Sequence, residues 1–271
     1  MHTRFSLFLY RGYQNMRQKG YQMIARRILG SSFSTSYVKA IVSRDFEVVR
    51  TILNNTELTK NHMTPEIKLF LLTPNCPLYH EPFQNVLQGS NMKRNVFVEP
   101  FWSIYWPGGQ GLTRFVLDEG NALFSSSRNV LDLGAGCGAT AIAAKLRGAS
   151  KVVANDIDKV ACTAIMMNAL VNNAELEVSQ ENLLHRPPDK LIDFIFIGDM
   201  LYDEEITSVL IPWLEEASKN GTRIFLGDPG RHGFTEDLRK RLTSFNCYSL
   251  PKNVRQENYG YDKCYVWEFS K

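Results

Sequence analysis

Residues 130–140 read VLDLGAGCGAT, and the fold is decided there. A β-forming run, Asn129 to Leu133, enters three glycines, Gly134, Gly136 and Gly138, and a helix-forming run from Ala139 to Leu146 leaves them. Strand, tight turn and helix in that order make a nucleotide-binding unit. Gly134, Gly136 and Ala139 also fit a relaxed dinucleotide fingerprint, in which backbone N–H groups and a helix N-terminus receive a pyrophosphate. The glycines alone do not choose the ligand.

Asp132, two positions before Gly134, makes the choice. A carboxylate at a strand end repels a pyrophosphate and attracts an ammonium group. S-adenosylmethionine is the cofactor that carries an ammonium group and an adenosine without phosphate. D-x-G-x-G-x-G, here Asp132, Gly134, Gly136 and Gly138, is similar to the pattern of the class I methyltransferases. The other reading of Asp132 is a buried strand-end acid that caps the following helix. The next strand, KVVAND, ends at Asp156, where a carboxylate accepts both ribose hydroxyls. NAD enzymes use the same device, so Asp156 argues for an adenosine cofactor without separating the two classes. Asp158 fits better as the cap of the helix starting at Lys159. After the third strand, QENLL offers Asn182 to the adenine amino group, with Leu183 over its face; Asn182 reads equally as a turn former.

Outward from the loop, strands are expected at Asn129–Leu133, Lys151–Asn155, Leu176–Ser179, Leu191–Ile197, Thr222–Leu226, Cys247–Leu250 and Tyr265–Phe269. Helices are expected between them, at Ala139–Leu146, Lys159–Val171, Glu205–Ala217 and Thr235–Thr243. Such alternation implies right-handed βαβ crossovers and a largely parallel sheet. The last two strands are joined through a short Tyr/Gly/Asn-rich segment, which suits an antiparallel edge hairpin. The expected fold is α/β: the seven-β-strand, Rossmann-like fold of class I S-adenosylmethionine-dependent methyltransferases. Upstream, apolar residues recur at helical spacing between Tyr37 and Asn55, and Thr64-Pro65 is suited to open a short helix through Phe70. Pro74, Pro77 and Pro82 keep later chain extended.

The 271 residues, 44% hydrophobic and 22% charged, suffice for one sizeable core. A net charge of +3, with much of the excess base at the N-terminus, argues against a nucleic-acid binder. Five cysteines without CxxC or His-paired spacing argue against a disulfide framework and against any metal site. No apolar run reaches the roughly 18 residues that span a bilayer, so a soluble protein is expected. From Met1 to Arg44 there is no Asp or Glu, while Arg4, Arg11, Arg17, Arg26 and Arg27 alternate with apolar residues and SSFSTS follows. That composition is an organelle import peptide; a basic tail is the alternative. The organisation expected is a targeting segment over 1–36, a helix and loop-rich extension over 37–95, and a catalytic domain over 96–271.

The acceptor side begins after strand four. LIDFIFIGD is apolar until Asp199, and GDMLYDEE follows. Ligands in open parallel sheets lie outside the carboxyl ends of the strands, which places Asp199 and Tyr202 at the reactive end of the cofactor. D-x-x-Y, Asp199 to Tyr202, resembles the motif that seven-β-strand protein-lysine methyltransferases carry at this place. Trp106-Pro107-Gly108-Gly109-Gln110, within FWSIYWPGGQG, resembles their aromatic-Pro-Gly-Gly segment, which implies that Trp106 lines the methionine end of the cofactor. An aromatic plug over the sheet is the other reading of Trp102 and Trp106. GDPGR (Gly227 to Arg231) and RQEN (Arg255 to Asn258) are further matches. Together, from about Met63 to Lys271, these segments resemble the mitochondrial electron transfer flavoprotein β-subunit lysine methyltransferase family. The glycine loop and Asp156 are also similar to those of the ribosomal protein L11 methyltransferases.

That resemblance implies a mitochondrial-matrix enzyme, with a cytoplasmic one as the alternative, acting on adjacent lysines of the flavoprotein β subunit; a monomer is the simplest expectation, and charge and hydropathy argue against nucleic acid and a membrane span. An L11-type protein methyltransferase and a small-molecule N-methyltransferase are the alternatives, the second using the stretch from Met63 to Asn95 as a lid. A lysine amine has a free pKa of about 10.4 and arrives protonated, and an ordinary carboxylate is a poor base for it. Asp199 is therefore expected to hold the amine in line, with Tyr202 giving a hydrogen bond or an aromatic wall. Cys137 reads as a small filler in the loop, and His232 as a solvent-facing loop residue.

Overall fold

The structure, a computed structural model, describes residues 47–80, 100–231, 233, 235–257 and 260–269. The chain divides into two compact units, 1–54 and 55–271. Residues 47–55 are helical; the earlier part of the helix expected from Tyr37, the import segment and His232 lie outside the described residues.

The second unit opens with an antiparallel pair, β1 (Glu57–Thr59) and β2 (Leu69–Leu71). No helix follows Thr64-Pro65: residues 65–67 turn, and Ile67 N–H donates to the Thr64 carbonyl. Leu69, Phe70 and Leu71 are all buried, and the core rewards extension there over the local Thr-Pro start. A long helix, α1 (Pro107–Leu123), follows. It was not among the expected helices, because Pro-Gly-Gly reads as a turn. Pro107 sits at its first turn, where the missing N–H costs nothing.

Then come β3 (Asn129–Leu133), α2 (Ala139–Leu146), β4 (Lys151–Asn155), α3 (Lys159–Val171), β5 (Glu177–Ser179), β6 (Phe194–Gly198), α4 (Glu204–Lys219), β7 (Arg223–Asp228), α5 (Glu236–Arg239), β8 (Leu242–Ser249), α6 (Lys252–Glu257) and β9 (Lys263–Phe269). One seven-stranded sheet runs β5-β4-β3-β6-β7-β9-β8, parallel except for β9, which is antiparallel to both β7 and β8. The parallel sheet and the antiparallel edge are as expected. Several boundaries differ, and the strand expected over Cys247–Leu250 already starts at Leu242, where it pairs with β9. Leu191 is 74% exposed, and its N–H bonds to Asp189 Oδ1 in a turn, so β6 begins only at Phe194. The helix expected over Thr235–Thr243 stops at Arg239, because Leu242 already pairs with Phe269. The link between β8 and β9 contains α6.

Strand residues alternate between two layers. Val130, Ala154, Phe196 and Phe225 pack with Leu112, Phe115, Ile142 and Ile165 from α1, α2 and α3. Leu131, Leu133, Ile197 and Leu226 pack with Leu210, Trp213 and Leu214 of α4 on the other face. Phe194, Phe196 and Phe225 stack as a ladder across β6 and β7. Each fully buried ring contributes about 1.5–3 kcal/mol.

The α3 amides tie this sheet to the first strand pair. Asn168 Oδ1 accepts from Phe70 N–H and Asn172 Oδ1 from Lys68 N–H, both at 2.8 Å. Asn168 Nδ2 also donates 2.8 Å to the carbonyl of Cys137, within the glycine loop. Cys137 itself is a buried filler there.

Candidate active site

The carboxyl ends of β3, β4, β6 and β7 lie on one edge of the sheet, so Asp132, Asp156, Asp199 and Asp228 converge there. Gly134, Gly136 and Gly138 have φ of +65°, +54° and +78°. A side chain is strained in that region, and a Cβ at Gly134 would also strike the sulfur of Met200. The loop thus turns tightly enough to leave the α2 N-terminus and Asp132 at the strand ends.

Asp132 is 3% exposed, and its Oδ2 accepts 2.9 Å from Ala141 N–H. It therefore caps α2, whose own N-cap, Gly138, has no side chain to do so. Burial pushes its carboxyl up to about 7, and the Ala141 bond only partly offsets this. Asp156 spans the loop: Oδ2 accepts from Gly136 N–H and Oδ1 from Asp158 N–H, each at 2.9 Å. Burial raises its carboxyl as well. Asp158 caps α3 through Val160 N–H, as expected. Asn182 Oδ1 accepts from Leu184 N–H and so forms the turn that starts at Leu183.

At the other end, Asp199 leaves β6 with φ +56°, left-handed backbone that only Asn173 shares among the described non-glycine residues. Its side chain is buried, with Oδ2 accepting 2.9 Å from Gly109 N–H at the start of α1. Oδ1 pairs with Arg231 Nε at 2.6 Å. Burial raises the Asp199 carboxyl, against the pull of Arg231 and the α1 amides. Trp106 precedes α1 and donates Nε1–H to the Phe101 carbonyl. The Arg231 guanidinium lies 5.3 Å from its ring and 5.9 Å from that of Tyr261. Trp102 is buried beside Gly136. Tyr202 is 53% exposed.

Gly108 permits this junction. A Cβ there would collide with the Gly227 carbonyl and with Asp199 Oδ2. The aromatic-Pro-Gly-Gly segment is thus the closely docked start of a helix. Arg231, Asp228 and Tyr261 were not singled out from the sequence as site residues. GDPGR held the signal, because it leaves β7 on the same edge as Asp199.

A family model described as Ribosomal protein L11 methyltransferase (PrmA) matches residues 108–226, from α1 through most of β7. Over a longer span, the chain is 42% identical across 238 residues to the electron transfer flavoprotein beta subunit lysine methyltransferase of Danio rerio, covering 86% of this chain and 87% of that one. The chain belongs to the electron transfer flavoprotein beta subunit lysine methyltransferase family. The Mus musculus member is 43% identical over 219 residues, 79% of this chain and 81% of its own. By contrast, the ribosomal protein L11 methyltransferase of Caldicellulosiruptor saccharolyticus aligns over 33% of this chain and 35% of its own, at 34% identity. Membership in the lysine methyltransferase family establishes the methyltransferase fold and S-adenosylmethionine as cofactor. The residues fit that cofactor: a loop of three positive-φ glycines, a buried carboxylate able to face an ammonium group and a second carboxylate at the next strand end.

Proposed function

We propose that this chain methylates lysines of the electron transfer flavoprotein β subunit in the mitochondrial matrix. One observation carries the reading: the family match extends over 86% of the chain, well beyond the catalytic core shared with the L11 enzymes. The acid-free, Arg-rich start supports residues 1–36 as an import peptide ahead of an extension over 37–95 and a catalytic domain over 96–271. No helix among the described residues is long and apolar enough to cross a membrane.

In this reading Asp132, Gly134, Gly136, Gly138 and Asp156 hold the cofactor, with Trp106 at its methionine end and Asn182 at its adenine. Bound S-adenosylmethionine supplies an electrophilic methyl group. Asp199 orients the lysine amine in line with it, and exposed Tyr202 forms a wall or hydrogen-bond partner at the mouth. The arriving ammonium gives its proton to water, and the neutral amine then takes the methyl group as the C–S bond breaks, releasing S-adenosylhomocysteine.

The test is methyl transfer from labelled S-adenosylmethionine, with purified electron transfer flavoprotein and ribosomal protein L11 side by side and peptide mass spectrometry to locate the label. Label on β-subunit lysines, abolished by Asp199→Ala, is the expected result. Label confined to the ribosomal protein would move the chain to the other substrate.

A further inference from the structure

A buried carboxylate creates a difficulty for amine methylation. The nucleophile must be neutral, yet a lone carboxylate raises the pKa of an amine beside it and holds it as an ammonium. Asp199 is not alone. Its ion pair with Arg231 at 2.6 Å joins side chains only 5% and 13% exposed. Arg231 is in turn fixed by its backbone, since Asp228 Oδ1 accepts from Gly230 N–H at 2.6 Å and from Arg231 N–H at 2.8 Å. Trp106 and Tyr261 flank the guanidinium, and Gly109 N–H binds the second carboxylate oxygen. Among the described residues, the ionisable groups facing the pair are Asp228 at the end of β7, the Cys264 thiol of β9 and the Tyr261 phenol. None of these is a cation, whereas Arg231 brings a guanidinium to the carboxylate.

Resting on the assignment of Asp199 to the acceptor site, we propose that Arg231 is a positioning residue that cancels the Asp199 charge, so that this carboxylate orients the substrate lysine as a neutral amine.

The test compares pH profiles of kcat for the full chain and for Arg231→Gln, with S-adenosylmethionine and purified electron transfer flavoprotein. The inflection that reports amine deprotonation in the complex is expected to rise by about one pH unit or more in the variant. Arg231→Lys, which keeps the charge, is expected to restore it. A loss of equal size at every pH in both variants overturns the proposal. Full activity in Asp199→Asn removes the acceptor-site assignment itself, and the proposal with it. A second readout needs no acceptor protein. The fall in Tm caused by Arg231→Gln should be larger at about pH 8 than at low pH, because burial raises the Asp199 carboxyl and its protonated form needs no cation. That pH dependence should vanish in an Asp199→Asn background. A pH-independent fall means that the arginine only packs, and overturns the proposal.

Discussion

Asp156 Oδ2 accepts a 2.9 Å hydrogen bond from Gly136 N–H, so the end of β4 grips the loop that follows β3. Each carboxylate oxygen has one backbone donor and keeps a lone pair for a ribose hydroxyl. Asp156→Ala removes both the acceptor and the grip. Cofactor affinity measured by calorimetry should fall about 10- to 100-fold, in line with about 1.5–3 kcal/mol for a charged hydrogen bond.

Asp132 gives that affinity a pH dependence. Its carboxyl sits at about 7 in the free protein, and only the ionised form attracts an ammonium group. Binding of S-adenosylmethionine should therefore weaken about three- to tenfold between pH 8 and pH 6. Calorimetry on Asp132→Asn should show weaker binding with most of that slope gone; an unchanged slope would remove Asp132 from the ammonium site.

Gly108→Ala tests the docking of α1. The added Cβ meets the Gly227 carbonyl and Asp199 Oδ2, both poorly able to yield. Overpacking of this kind costs about 1–3 kcal/mol, readable by urea denaturation. The Asp199 shift should lower kcat with cofactor affinity largely kept.

Asp228 should make the fold less stable in mild alkali. Its Oδ2 has no hydrogen-bond partner, the residue is 1% exposed, and burial pushes the carboxyl up to about 6. The unfolded value is about 3.9, so the folded state binds the proton more tightly. The charged form therefore costs stability above about pH 6, and the cost disappears as pH falls to about 4. Asp228→Asn keeps an oxygen for the Gly230 and Arg231 amides. It should stabilise by about 1–3 kcal/mol at pH 8 and by nothing at pH 4, as read from denaturation at the two pH values.

The parallel half of the sheet was legible because its strands are apolar runs ended by Asp or Gly, and β3, β4, α2 and α3 fall where the sequence places them. Legibility failed where tertiary contacts overrule local signals. The glycines opening α1 look like a turn, and become helical because only a bare backbone can approach Gly227 so closely. The run after Thr235 has helical spacing, yet Leu242 is claimed by pairing with Phe269. Within the site, the sequence separated Asp132, Asp156 and Asp199 by position but not by partner, and it passed over Asp228. Asp199 and Arg231 are 32 residues apart, and only the adjacency of β6 and β7 brings them together. For Asp132 the structure shows the alternative reading, a buried strand-end acid that caps the next helix through Ala141 N–H, and that cap leaves its other oxygen available to an ammonium group.

Asn168 has a consequence beyond architecture. Its amide receives a proton from Phe70 and donates one to Cys137, and the residue has no exposed surface. Its two ends cannot swap, so the glycine loop and β2 share a single rigid linker. Ordering of the loop by a ligand must then damp the opening of the strand pair. The Phe70 amide is thereby a built-in reporter: its hydrogen exchange should slow when S-adenosylmethionine binds, and Asn168→Ala should silence that signal.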